Sequence, residues 1–240
     1  DGMRAALLIG FIQFCVNYNS VYLAERHITS GIVATISALM LIPNSLLGWA
    51  FLGQRPGKRF AAGSAVAVAG IGLLCIHEFR SSSAPAPEVV AGIGFTLLGL
   101  MAASVTNVYQ AREQLRRHHL ASLLAWSMAI GAVIDGGFAW ALTGPPVFTD
   151  RTGYWIGVLY LGVFASALTF SLYFPVVRKI GPGKAAYSSV LVPVIAMAFS
   201  TVIEDYRWTA IAIAGAVLTL AGMLIAISRG RLVVQSPDAA

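Results

Sequence analysis

Residues 31–53 read GIVATISALMLIPNSLLGWAFLG, without a charge and with one proline, Pro43, near the middle. A hydrocarbon core of ~30 Å takes about 20 residues of helix, so this stretch is long enough to cross a bilayer. In lipid every backbone polar group must be paired within its own segment, so the stretch reads as a helix. Seven more runs have the same character: 5–24, 60–75, 89–110, 120–142, 154–177, 185–203 and 209–227. Apolar residues make up 58% of the chain and charged residues 11%, a balance that a soluble domain of this size does not carry. The sequence therefore predicts an all-α integral membrane protein with eight membrane-spanning helices. Cys15 and Cys75 lie inside runs at no metal-ligating spacing and are read as reduced thiols.

The loops between the runs divide into two sets. One holds Arg4, Arg55, Lys58, Arg59, Arg112, Arg116, Arg117, Arg178, Lys179, Lys184, Arg229 and Arg231; the other holds only Arg26, Arg80, Arg151 and Arg207. The positive-inside rule puts the rich set in the cytoplasm and both termini with it. An error of one helix would scramble this alternation, so the split also supports the helix count. The formal charge of +6 then needs no nucleic acid to explain it.

Sliding the chain along itself by 152 positions aligns its two ends. Gly10 meets Gly162, Gly31 meets Gly183, Arg55 meets Arg207, Gly63 meets Gly215 and Gly70 meets Gly222. Helices one to three thus match helices six to eight. A shift of five helices reverses the direction of crossing, so the copies are related by inverted topology, as in secondary transporters. Helices four and five have no counterparts in the first copy. The expectation is a ten-helix, inverted five-plus-five repeat of which eight helices are visible, the first two being absent. Residues 1–80 then hold three helices of the first repeat, 81–88 a linker, 89–228 the second repeat and 229–240 a cytoplasmic tail.

The stretch from Tyr22 to Gly31, the helix from Ala34 through Pro43-Asn44, and its close at Phe51-Leu-Gly-Gln-Arg-Pro56 resemble the EamA-type domain of the drug/metabolite transporter superfamily. Lys179-Ile-Gly-Pro-Gly183, Pro193 and Glu204-Asp-Tyr-Arg207 repeat the order in the second copy. Gln54 stands where the family usually has Glu, and Ile203-Glu204-Asp205 stands where Leu-Gly-Glu is expected. The resemblance implies an exporter of amino acids, related metabolites or toxic compounds, working by alternating access.

Polar side chains in lipid-crossing segments are costly unless they face protein or water, which makes them site candidates. Gln13 and Asn17 share one helical stripe with Ser20, and Tyr18 shares another with Tyr22. Ser166, Thr169 and Tyr173 form a comparable stripe in helix six, with Thr169 the repeat counterpart of Asn17. Pro43 and Pro193 each remove a backbone donor and are expected to kink helices two and seven near mid-membrane. Asn44 and Tyr187 flank these kinks and could contact substrate, and Asn107 closes helix four. Asp135 is the acid deepest in a run, a candidate to bind and release a proton during transport. The bland reading of all these groups is hydrogen bonding between helices.

The leading reading is a secondary active transporter exporting amino acids or small amphiphilic compounds. Its expected partners are a small-molecule substrate, the lipid bilayer and protons, with monomer and homodimer both open. No motif calls for a cofactor or a metal. A nucleoside or vitamin importer of the same fold, an inactive fragment and an integral membrane enzyme are the alternatives. The last would need acids, histidines or a nucleophile converging at one face.

Overall fold

The structure, a computed structural model, describes residues 2–81, 85–145, 148–186, 191–203 and 208–227. Its long helices are α1 (Gly2–Glu25), α2 (Ser30–Leu52), α3 (Lys58–Ser81), α4 (Ala86–Gln110), α5 (Leu120–Thr143), α6 (Thr152–Ile180), α7 (Leu191–Ile203) and α8 (Ala210–Ile227). Short helical turns at Glu113–Arg116 and Pro182–Ala185 follow α4 and α6. Among the described residues, six helices are long and apolar enough to cross a membrane, whereas α7 and α8 are shorter. The linker expected at 81–88 shrinks, because Ser81 belongs to α3 and α4 starts at Ala86. Pro87 explains the early start: its fixed φ suits the first turn, where its missing N–H costs nothing. The expected tail at 229–240 lies outside the described residues.

Neighbouring contacts fix the helix directions. On α4, Gly92 lies against His27 and Ile28, Gly99 against Asn17 and Ser20, and Asn107 against Met40 and Asn44. Helix α2 therefore runs with α4, and α1 against it. On α5, His118 just before the helix meets Gly2, Ser127 meets Gly10 and Asp135 meets Asn19, so α5 runs with α1. This is the up-and-down threading that the charge pattern required.

The tightest interface is between α3 and α8. A Cβ on Gly63 would lie 2.5 Å from Gly222 O, and one on Gly222 would lie 2.6 Å from Gly63 O. Gly70 and Gly215 face each other likewise, at 2.7 and 2.8 Å. Only residues without a side chain let the two backbones approach so closely, and close packing is what holds helices together where water cannot drive association.

These contacts exchange under the 152-residue offset. Gly63 against Gly222 becomes Gly215 against Gly70, and Gly63 against Ala226 becomes Gly215 against Leu74. The same exchange relates Gly31, whose Cβ would meet Met197, to Gly183, whose Cβ would meet Ser45. It also relates the Phe14–Phe170 ring contact to the Tyr18–Ser166 hydrogen bond. Three separate interfaces thus obey one pseudo-two-fold relation with antiparallel halves.

The core lies among α1, α2, α3, α4, α7 and α8, where Ile32, Ile36, Leu74, Val89 and Met223 are buried. Helix α6 is peripheral: none of its residues from Thr152 to Leu168 is buried. Large apolar side chains cover the outside, among them Trp140, Leu142, Leu159 and Val202, as a lipid-facing surface requires.

Candidate functional site

Both α1 and α6 open into a π-helical stretch, Gly10–Asn17 in one and Tyr160–Leu168 in the other. Shifted by 152 positions, the second spans 8–16, so the two stretches overlap almost fully. A π-turn replaces the i→i+4 bond by i→i+5, widens the helix and frees carbonyl oxygens; such turns concentrate at functional sites. The two wide stretches meet where Tyr18 Oη and Ser166 Oγ lie 2.8 Å apart and the Phe14 and Phe170 rings pack edge to face.

Four of the expected site residues join buried amide clusters. Gln13 Nε2 donates to Asn17 Oδ1 at 3.3 Å, and Asn17 Nδ2 donates to the Gly99 carbonyl of α4 at 2.8 Å. Deeper along α4, Asn107 Nδ2 lies 3.5 Å from Asn44 Oδ1 and 3.3 Å from Met40 Sδ, while Asn44 Nδ2 donates to Pro182 O at 3.3 Å. Asn44 is fully buried and Asn107 nearly so. Tyr173 brings its hydroxyl to Asn44 from α6 without a well-formed hydrogen bond.

Helix α2 breaks where Pro43 predicts. The ring leaves Leu39 O without its usual donor, and the helix interrupts at Leu39–Met40 before resuming at Leu41. Ile42 N–H takes over Leu39 O at 2.8 Å, a tighter i→i+3 bond. The break turns Met40 and Asn44 toward Asn107. Pro193 is the third residue of α7 and lines a cleft of about 410 Å³ with Thr35, Met197 and Trp208. Tyr187 and the turn preceding that proline lie outside the described residues.

Thr169 does not join these clusters. It is exposed, and its hydroxyl donates to Phe164 O, five residues back, at 2.9 Å. The π-stretch accounts for this: a stripe drawn at 3.6 residues per turn loses register across it, so Ser166 and Tyr173 turn inward and Thr169 outward.

Asp135 has a partner on α1. Asn19 Nδ2 donates to Asp135 Oδ1 at 2.8 Å and to Cys15 O, inside the π-stretch, at 2.9 Å. One amide thus ties the carboxyl group of α5 to the widened turn of α1. Sequence reading missed Asn19, because its partner is 116 positions away and no local pattern points to it. It also missed Pro175 inside α6, and Arg178, whose Nη2 reaches Gln110 Oε1 at 3.0 Å and whose Nη1 reaches His118 O at 3.2 Å.

Among the described residues, four buried polar atoms near these clusters have no hydrogen-bond partner: Gln13 Oε1, Ser104 Oγ, Gln110 Nε2 and Tyr173 Oη. Each such group costs about 1–3 kcal/mol. Other buried hydroxyls avoid that cost by bonding back to their own helix, as Thr96 does to Gly92 O and Ser127 to Leu123 O. Unpaired donors and acceptors gathered along one α4 face and its neighbours are suited to receive the polar groups of a small solute.

The chain matches the EamA-like transporter family over residues 1–76 and 90–228. It is 24% identical over 231 residues to a probable amino-acid metabolite efflux pump of Escherichia coli (strain K12), covering 91% of this chain and 73% of that protein. It is 26% identical over 211 residues to a probable terminal-alkyne amino-acid exporter of Streptantibioticus cattleyicolor, covering 84% of this chain and 65% of the exporter. It is 22% identical over 201 residues to Protein PagO of Salmonella typhimurium, covering 83% of this chain and 63% of that protein. The chain thus spans just under two thirds of the last two. A solved crystal structure, described only as that of a protein, superposes with a TM-score of 0.66 at 18% identity, over 92% of this chain and 74% of the other, which shows a shared fold. Matched over most of its length, this chain belongs to the EamA-like transporter family.

Proposed function

We propose that the chain serves a secondary active exporter of amino acids or related small amphiphilic compounds, in the cytoplasmic membrane of a bacterium with its arginine-rich end in the cytoplasm. The observation that carries this is the set of unpaired polar atoms of Gln13, Ser104, Gln110 and Tyr173 around the amides of Asn17, Asn44 and Asn107. Amides and phenols without fixed charge suit a zwitterionic or weakly polar solute. The names of the relatives, an amino-acid metabolite efflux pump and a terminal-alkyne amino-acid exporter, support the same substrate class. Membership of a transporter family argues against a membrane enzyme. The two antiparallel halves would rock about the Gly63–Gly222 and Gly70–Gly215 crossing, exposing the amides to each side in turn.

Efflux of labelled amino acids from loaded vesicles tests the proposal. Asn44 joins α2 to both Asn107 and the Pro182 turn, so Asn44→Leu removes two hydrogen bonds worth about 0.5–1.5 kcal/mol each. Efflux is expected to fall at least about tenfold while the protein still elutes as a folded species. Unaltered efflux in Asn44→Leu, or a solute that emerges chemically changed, would contradict it.

A further inference from the structure

A cleft of about 350 Å³ opens between α1, α2 and α4 at the end where the arginine-rich loops gather. Its walls are largely aliphatic, from Leu8, Ile12, Leu47 and Val105, and the Thr106 hydroxyl on them is turned back to Ala102 O at 3.1 Å. The lining changes character at one place. There the Arg112 guanidinium stands over the Phe51 and Tyr109 rings, 5.6 and 5.7 Å from their centroids. Among the described residues no carboxylate forms an ion pair with Arg112. Leu8, Val105 and Phe51 are open to the surroundings, which for these helices is lipid.

We propose that this cleft is a binding site for one anionic phospholipid, with an acyl chain along the aliphatic walls and the headgroup phosphate against Arg112. An apolar trench closed at the headgroup level by a fixed cation complements an amphiphile with a negative head. A zwitterionic lipid fills the trench equally well but brings its own ammonium group to the guanidinium. The two rings beside the guanidinium limit its range, so less side-chain freedom is lost when a phosphate arrives. Basic pockets between membrane helices at the cation-rich face take anionic headgroups by this chemistry. None of the amide residues Gln13, Asn17, Asn44 and Asn107 lines this cleft, and the site stands whether or not the transport proposal holds.

The test is native mass spectrometry of the purified protein in mixed micelles of phosphatidylglycerol and phosphatidylethanolamine with identical acyl chains. One cation near an anionic surface gives a preference of about fivefold. The protein is expected to retain one phosphatidylglycerol by that margin. Arg112→Gln should bring the two lipids to parity, and Arg112→Lys should keep the preference. Val105→Trp should abolish retention of either lipid at that stoichiometry by filling the trench. Arg59→Gln, in the first turn of α3, should leave the preference unchanged. Equal retention by the unaltered protein, a preference that survives Arg112→Gln, or an equal loss in Arg59→Gln would overturn the proposal, the last by reducing it to general surface charge.

Discussion

Replacing Gly63 with leucine is expected to leave no folded protein in a mild detergent. A Cβ there would overlap the Ala226 backbone nitrogen and sit 2.5 Å from Gly222 O, so the clash is with main chain that cannot swing aside. Overpacking against flexible side chains costs about 1–3 kcal/mol. Here the α3 and α8 backbones must part along their whole crossing, and the loss should exceed about 3 kcal/mol. By the pseudo-two-fold, Gly215→Leu should be as damaging, since its Cβ would meet Gly70 O at 2.8 Å and the Leu74 side chain at 2.9 Å. Gly72→Leu, on the same helix but with open space around its Cβ position, should behave as the unaltered protein. Thermal unfolding followed by size exclusion reads all three. A stable Gly63→Leu protein would mean that the two helices are not in contact as described.

The second large expected effect tests Asp135 as the proton-coupling group. Asp135→Asn is expected to abolish pH-driven transport while leaving exchange of labelled for unlabelled substrate intact. Asparagine keeps an oxygen that can accept the Asn19 amide, so the tie between α5 and the π-stretch of α1 survives. What the variant loses is the ability to carry a proton. Asn19→Leu should also weaken pH-driven flux, but by freeing Asp135 rather than neutralising it. Flux in vesicles with an imposed pH gradient, with exchange as the control for folding, separates the cases. An Asp135→Asn protein that still responds to the gradient removes Asp135 from the coupling step.

Much of the architecture was readable from the chain because it rests on signals of long range in composition. Apolar runs set the helices, and the two sets of loop cations set their alternation. The offset that pairs Gly63 with Gly215 and Gly70 with Gly222 picked out four residues that meet at one crossing. The proline rule located the break in α2 to within one turn. The site was less legible. The π-stretches have no side-chain signature, since an inserted residue changes register and not composition, and that register change sent Thr169 outward. Asn19 with Asp135, and Gln110 with Arg178, are pairs made by tertiary packing between helices far apart in sequence. Helix α7 was read as beginning at residue 185, but the described helix starts at Leu191, after Pro182–Ala185 forms its own turn beside Asn44.

The account depends above all on the antiparallel relation of its two halves. In a background with Cys15 and Cys75 replaced by serine, Gly57→Cys and Thr209→Cys place single thiols at repeat-equivalent positions before α3 and α8. A membrane-impermeant maleimide should label one only from the inside of oriented vesicles and the other only from the outside. Labelling of both thiols from the same face would contradict the inverted arrangement and everything built on it.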